Sequence, residues 1–161
     1  MLINIPPIIP PELLKTLCEM GHGDTIVLAD GNFPGVSVAK AAGGGGSAGN
    51  NGGDAALIRC DGVGVPELLR AILALFPLDT YVDEPVTLMG VAKGTEQVEV
   101  PIWDEFYNIV SAYDKRGRNA FRTVERFDFY EEAKQAFAVV ATSESARYAN
   151  IILKKGVVIN D

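Results

Sequence analysis

Histidine occurs once in this chain, at position 22, within Gly21-His22-Gly23-Asp24. An imidazole gives and takes a proton near neutral pH with little driving force either way, as a reversible acid–base reaction needs. Glycines on both sides leave its ring open to a ligand. The same residue also reads as an ordinary histidine at a helix end. Four further polar residues stand at the ends of predicted elements: Asp30, Arg126, Tyr148 and Asn150. Together they supply donors and acceptors in fixed directions, which is what holding sugar hydroxyls requires. Each has a plainer explanation as well. Asp30 suits a turn cap. Arg126 suits a surface pair with Glu125 or Glu131, worth about 0–1 kcal/mol. Tyr148 suits a packed strand aromatic, and Asn150 a backbone partner.

The elements that must position these residues follow from periodicity. Pro10 and Pro11 open a helix, Leu13, Leu14, Leu17, Cys18 and Met20 give it an apolar stripe, and Gly21 stops it. Residues 25–30 (TIVLAD) read as a buried strand ending in Asp30, followed by a Gly-Asn-Phe-Pro loop at 31–34. Strands are predicted at 56–60, 85–91, 121–125, 136–141 and 148–153, and helices at 66–76, 103–113 and 129–135. Tyr148 and Asn150 would alternate on the last strand and share one face. Strands alternating with helices, several of them continuously apolar, predict an α/β fold: one three-layer domain spanning 1–161, its mixed sheet flanked by helices. In open α/β sheets, ligands bind at strand ends and loops.

Residues 39–54 (AKAAGGGGSAGNNGGD) interrupt this order. Seven of the chain's 17 glycines lie here, and such a segment buries too little apolar surface to offset its ordering entropy. It reads as a flexible surface insertion. The phosphate-loop pattern GxxxxGK[ST] is missing, and no GxGxxG opens a helix.

Composition excludes other classes. Fourteen basic against 21 acidic residues give a net charge of -7, which argues against nucleic acid and anionic membranes as partners. No apolar run approaches the roughly 20 residues of a membrane span, and the N-terminus lacks a signal-peptide pattern. Cys18 and Cys60 read as reduced core residues of a cytoplasmic protein. One histidine and two distant cysteines make a zinc site improbable. Trp103 and Tyr130 are candidates for stacking on a sugar, though core or interface packing is the more common explanation for such aromatics.

Four segments are distinctive: PELLKTLCEMGHGDTIVLADGNFPG (11–35), RCDGVGVPELLRAIL (59–73), ERFDFYEEAKQAFAVVATSE (125–144) and RYANIILKKG (147–156). On these the chain resembles the L-fucose mutarotase family, related to D-ribose pyranase, over nearly its whole length apart from the glycine-rich insertion. The resemblance implies a catalytic role as general acid/base for His22. It implies sugar-binding roles for Asp30, for Arg126 ahead of the Phe-x-Phe-Tyr segment, and for the Tyr-x-Asn pair Tyr148 and Asn150. It also implies a homo-oligomer, either a ring-like decamer or a smaller assembly. Many bacterial members carry a second histidine where Asn32 stands, whereas animal-type members resemble this chain.

The activity so implied is interconversion of the α and β anomers of L-fucose, or a related monosaccharide, through the open aldehyde. It needs a proton off the anomeric hydroxyl, a proton onto the ring oxygen, and no cofactor or metal. General acid–base help of this kind contributes on the order of 10²–10⁴ in rate. Ribose pyranase-type ring interconversion and noncatalytic sugar binding remain the alternatives.

Overall fold

Strand β1 (Thr25–Ala29) shows why this chain needs two cores. Its last four residues are all buried. Ile26 and Leu28 join one apolar cluster, and Val27 and Ala29 join another. Successive strand side chains point to opposite sheet faces, so an all-apolar strand must be covered on both. The computed structural model describes residues 2–41, 56–92, 94 and 98–159. Within it, β2 (Ala56–Cys60), β3 (Val86–Met89), β4 (Phe121–Val124), β5 (Ala138–Thr142) and β6 (Ile151–Lys154) complete one sheet in the order β2-β5-β1-β6-β3-β4. β1 and β2 run parallel to β5, and β3 runs parallel to β4. β6 alone is antiparallel to its neighbours, β1 and β3.

Helices α1 (Pro11–Glu19), α3 (Val65–Leu73) and α4 (Ile102–Tyr113) cover one face, with Leu13, Leu17, Leu68, Ile72, Phe106 and Val110 in the larger cluster. Helices α2 (Gly35–Ala41) and α5 (Arg126–Ala133) cover the other through Val38, Ala39, Phe129 and Ala133. The expected three-layer α/β domain with a mixed sheet is the observed architecture. Full burial of side chains such as Phe106 and Phe129 stabilises it by on the order of 1.5–3 kcal/mol each.

Several details differ from the sequence expectation. Helix α2 was not anticipated, because glycines from 43 onward mask the short Val36–Ala41 pattern; Val38 and Ala39 pack inward on adjacent positions. The glycine-rich segment at 39–54 lies outside the described residues beyond position 41. Cys18 is exposed, not in the core, because the buried stripe of α1 is Leu13, Thr16 and Leu17. Helix α5 starts at Arg126, since the Glu125 side chain accepts a hydrogen bond from the Phe127 N–H and caps it. The last strand starts at Ile151. Tyr148 has a φ of 60°, a left-handed conformation that no strand tolerates, so Tyr148 and Asn150 lie on the loop entering β6.

Candidate functional site

The antiparallel direction of β6 places its entry beside the carboxyl ends of β1 and β3. Register Leu28↔Ile151 carries the chain to Asn150 next to Asp30, just past the end of β1. The two residues bond both ways. The Asp30 N–H donates to Asn150 Oδ1 at 2.9 Å, and Asn150 Nδ2 donates to Asp30 Oδ2 at 2.7 Å. The other carboxylate oxygen accepts from the Asn32 N–H at 2.9 Å, in the manner of an Asx turn. Both side chains are nearly inaccessible. Burial pushes the Asp30 carboxyl above its ordinary range, opposed by the hydrogen bonds from Asn32 and Asn150.

Around this pair lies a cleft of about 260 Å³, lined by Asp30, Asn32, Phe33, Met89, Arg126, Tyr130, Arg147, Tyr148 and Asn150. It is smaller than the roughly 300–1,000 Å³ of pockets for drug-sized ligands. Phe33 meets Phe129 edge-on at 6.1 Å and tilts against Tyr130 at 5.6 Å, which makes one wall aromatic. Arg126 and Arg147 add their side chains to the lining. Arg126 lies 4.7 Å from the Phe127 ring, and its buried Nε has no hydrogen-bond partner among the described residues. It makes neither of the surface pairs that its neighbours offered, because Glu125 caps α5 and Glu131 pairs with Lys134. A buried donor without a partner is costly in a finished fold, and a ligand oxygen would satisfy it. Trp103 does not line the cleft. Its Nε1–H donates to the Tyr148 carbonyl at 3.0 Å and so supports the left-handed turn that presents the tyrosine.

A larger hollow of about 370 Å³ lies between Leu73–Leu78 and Val157–Ile159. Its one charged side chain, Asp114, is committed to Arg116 at 2.7 Å, so no polar set converges there. Among the described residues, no cluster of three or more His, Cys, Asp and Glu could hold a metal ion.

His22 is elsewhere. It precedes β1, whereas Asp30 follows it, and a rise of about 3.3 Å per residue puts the two ends of the strand on the order of 15 Å apart. Its loop is sewn to the far end of β6: the Gly23 N–H donates to Lys155 O at 2.9 Å, and the Lys155 N–H to Asp24 O at 2.8 Å. The imidazole Nε2 is 3.1 Å from Asp79 Oδ1, and the ring tilts against Tyr81 at 5.1 Å. The structure therefore brings Asp30, Arg126, Tyr148 and Asn150 together and leaves His22 at the opposite end of β1. Phe33, Met89 and Arg147 were not anticipated as lining residues. Met89 ends β3 as Asp30 follows β1, a signal that becomes visible only once the strand order is known. Asp79 has no local signal at all, lying 57 positions from its histidine.

An open α/β sheet with a polar, aromatic-walled cleft at the carboxyl ends of its parallel strands defines a small-molecule-binding domain, with room for one ring-sized, hydroxyl-rich ligand. Residues 3–158 match the RbsD / FucU transport protein family, and the chain belongs to that family. It is 48% identical over 160 residues to a protein of Danio rerio named fucose mutarotase, covering 98% of this chain and 95% of the relative. Among solved structures, it resembles FucU from Bifidobacterium longum with 52% identity and a TM-score of 0.86, covering 97% of this chain and 99% of that one. It also resembles the fucose mutarotase of Streptococcus pneumoniae, solved in complex with L-fucose, with 46% identity and a TM-score of 0.83, covering 98% and 100% of the two chains.

Proposed function

We propose that this protein is an L-fucose mutarotase, an isomerase that interconverts the α and β anomers of the free sugar. The observation that carries the reading is the cleft itself. It gathers Asp30, Arg126, Tyr148 and Asn150 at one sheet end, in a chain similar over 98% of its length to a protein solved with L-fucose. In this reading Asp30 accepts from a sugar hydroxyl, and Asn150 holds the carboxylate in place. Arg126 donates to a ring or hydroxyl oxygen, and Tyr148 supplies a hydroxyl that both donates and accepts. Phe33, Met89 and Tyr130 cover the apolar side of the ring. Opening removes a proton from the anomeric hydroxyl and delivers one to the ring oxygen. Rotation about one carbon–carbon bond then exposes the other carbonyl face, and closure reverses the transfers.

His22 serves as the acid/base in this scheme only if self-association brings the His22 of a second copy to the cleft. Two features support such an assembly. The His22 side chain is 46% exposed and its neighbour Tyr81 is 78% exposed, which leaves both rings open to a second copy. The Cys18 and Cys60 thiols are both free, which favours a cytoplasmic setting. No described helix is long and apolar enough to cross a membrane.

The test is saturation-transfer NMR of L-fucose anomers with wild-type protein, His22→Ala, Asp30→Asn, and an equimolar, re-associated mixture of the two variants. Wild-type acceleration, two slow variants and partial recovery in the mixture are expected, because a shared site is rebuilt where an intact His22 meets an intact cleft. The separation of His22 from the cleft within one chain also favours a second reading, a sugar-binding protein without catalysis. Shifted sugar resonances with no faster exchange in wild type would select it.

A further inference from the structure

We infer that Trp103 is a positioning residue for sugar recognition: its indole N–H holds the backbone turn at Tyr148 in the conformation that completes the cleft, and so sets sugar affinity without touching the sugar. The inference rests on the reading of the cleft as the L-fucose site. Tyr148 lines that cleft, and Trp103 does not. The turn is not one that Tyr148 selects for itself. Its φ of 60° is uncommon for any residue but Gly, Asn or Asp, and tyrosine favours extended strands. The run from Tyr148 to Leu153 reads as one strand, yet β6 begins only at Ile151. A non-glycine residue persists in such a conformation when its surroundings hold it there.

The chain is pinned on both sides of the turn. Before it, the Ala146 N–H donates to Glu144 Oε1 at 2.9 Å. After it, Asn150 is locked to Asp30, and the Asn150 carbonyl accepts from the Met89 N–H at 3.3 Å. Between these points the backbone is held by the Trp103 Nε1–H, 3.0 Å from the Tyr148 carbonyl. No other group among the described residues donates to that oxygen. The Tyr148 hydroxyl meets the Ala92 N–H only at 3.5 Å, which leaves the indole as the shorter restraint. Trp103 is itself well anchored. It stands in the first turn of α4, packs against the larger apolar cluster and donates its own N–H to the Val100 carbonyl at 3.0 Å. The Tyr148 side chain packs against the smaller cluster, so this bond ties the cleft wall on one sheet face to a helix on the other.

Two arrangements of the turn follow: left-handed and competent, or extended as the local sequence prefers. When only a fraction of molecules is competent, apparent affinity falls by that fraction, while the bound complex is unchanged. Loss of the indole donor should therefore raise KM and spare kcat.

The test compares wild type with Trp103→Phe and with a protein whose Trp103 indole is replaced by the isosteric benzothiophene, which has sulfur in place of N–H. The chain has one tryptophan, so the replacement alters no other position. Saturation-transfer NMR with L-fucose should show KM raised about two- to tenfold in both, the range that one hydrogen bond commands, with kcat little changed. A contribution to folding alone would lower Tm or the active fraction and leave KM at its wild-type value. A folded benzothiophene protein with wild-type KM overturns the inference. In ¹⁵N-labelled wild type, the single indole N–H resonance should exchange slowly with water and shift on saturation with L-fucose. An indole N–H that exchanges freely, or is unmoved at saturation, also overturns it, and this measurement needs no variant. If wild type binds L-fucose without accelerating exchange, the mutarotase reading fails alone, and a dissociation constant raised by the same factor sustains the role of Trp103. If wild type neither binds L-fucose nor accelerates its exchange, both fall.

Discussion

Asp30 and Asn150 are 120 positions apart and exchange two hydrogen bonds at the floor of the cleft, one through the Asp30 backbone and one through its carboxylate. Neither residue has access to bulk water to replace a lost partner. The Asn150→Ala change leaves a buried carboxylate oxygen short of a donor. The Asp30→Asn change cannot accept at both positions, where the Asn32 N–H and the Asn150 amide each need an oxygen. Each single substitution should lower unfolding stability by roughly 1–3 kcal/mol. The double variant should lose less than the sum of the two, with a coupling of about 0.5–3 kcal/mol, as contacting residues show. Urea unfolding of the four proteins measures this, and strict additivity would contradict the reciprocal pair.

The same burial predicts a pH effect on ligand binding. The Asp30 carboxyl is held above its ordinary range, chiefly by desolvation. A raised carboxyl takes up its proton at a higher pH than a free one, and once protonated it loses an acceptor for a sugar hydroxyl. Affinity for L-fucose should therefore decline as pH falls, beginning above the usual carboxylate region, and this limb should vanish in Asp30→Asn. Trp103 is the chain's only tryptophan and bonds the Tyr148 carbonyl, so its fluorescence offers a titration signal.

Arg126 should separate stability from binding. Among the described residues its buried Nε lacks a partner and its side chain makes no ion pair. Replacing it with Leu removes an unsatisfied donor from the cleft, so Tm should hold or rise slightly. Sugar affinity should fall at least about tenfold, as expected for a charged hydrogen bond worth roughly 1.5–3 kcal/mol. An unchanged affinity would place Arg126 outside the binding set.

Arg116 should matter to the fold and to its acid tolerance. It binds both Asp114 oxygens, at 3.0 and 2.7 Å, and the carbonyls of Asp79 and Val82. The guanidinium hydrogen bonds hold the Asp114 carboxyl below its ordinary range. At Asp79, burial pushes upward, but the Tyr81 amide, His22 and Lys154 outweigh it and the carboxyl is also lowered. A lowered carboxyl contributes stability that is present above its unfolded pKa and lost as pH falls through the folded one. Lysine cannot reproduce the planar fork. Arg116→Lys should lower stability by about 1–3 kcal/mol at neutral pH, and the gap to wild type should narrow in acid. Thermal unfolding across pH reads both effects.

Local patterns already carried most of the architecture. The all-apolar run from Ile26 to Ala29 required a strand covered on both faces, and Leu68, Leu69 and Ile72 marked the inner side of α3. Residue types at element ends made Asp30, Arg126, Tyr148 and Asn150 candidates, each with a plainer explanation beside it, and only the family resemblance gave them sugar-binding roles. Strand order was not local. Only the insertion of β6, antiparallel, between β1 and β3 sets Asn150 on Asp30 at one end of the strands and Lys154 beside His22 and Asp79 at the other. That arrangement separates the single histidine from the cleft and gives it a carboxylate 57 positions away. Short-range periodicity reports which face of an element is buried, whereas the partner across a sheet depends on long-range packing that no neighbouring residue encodes.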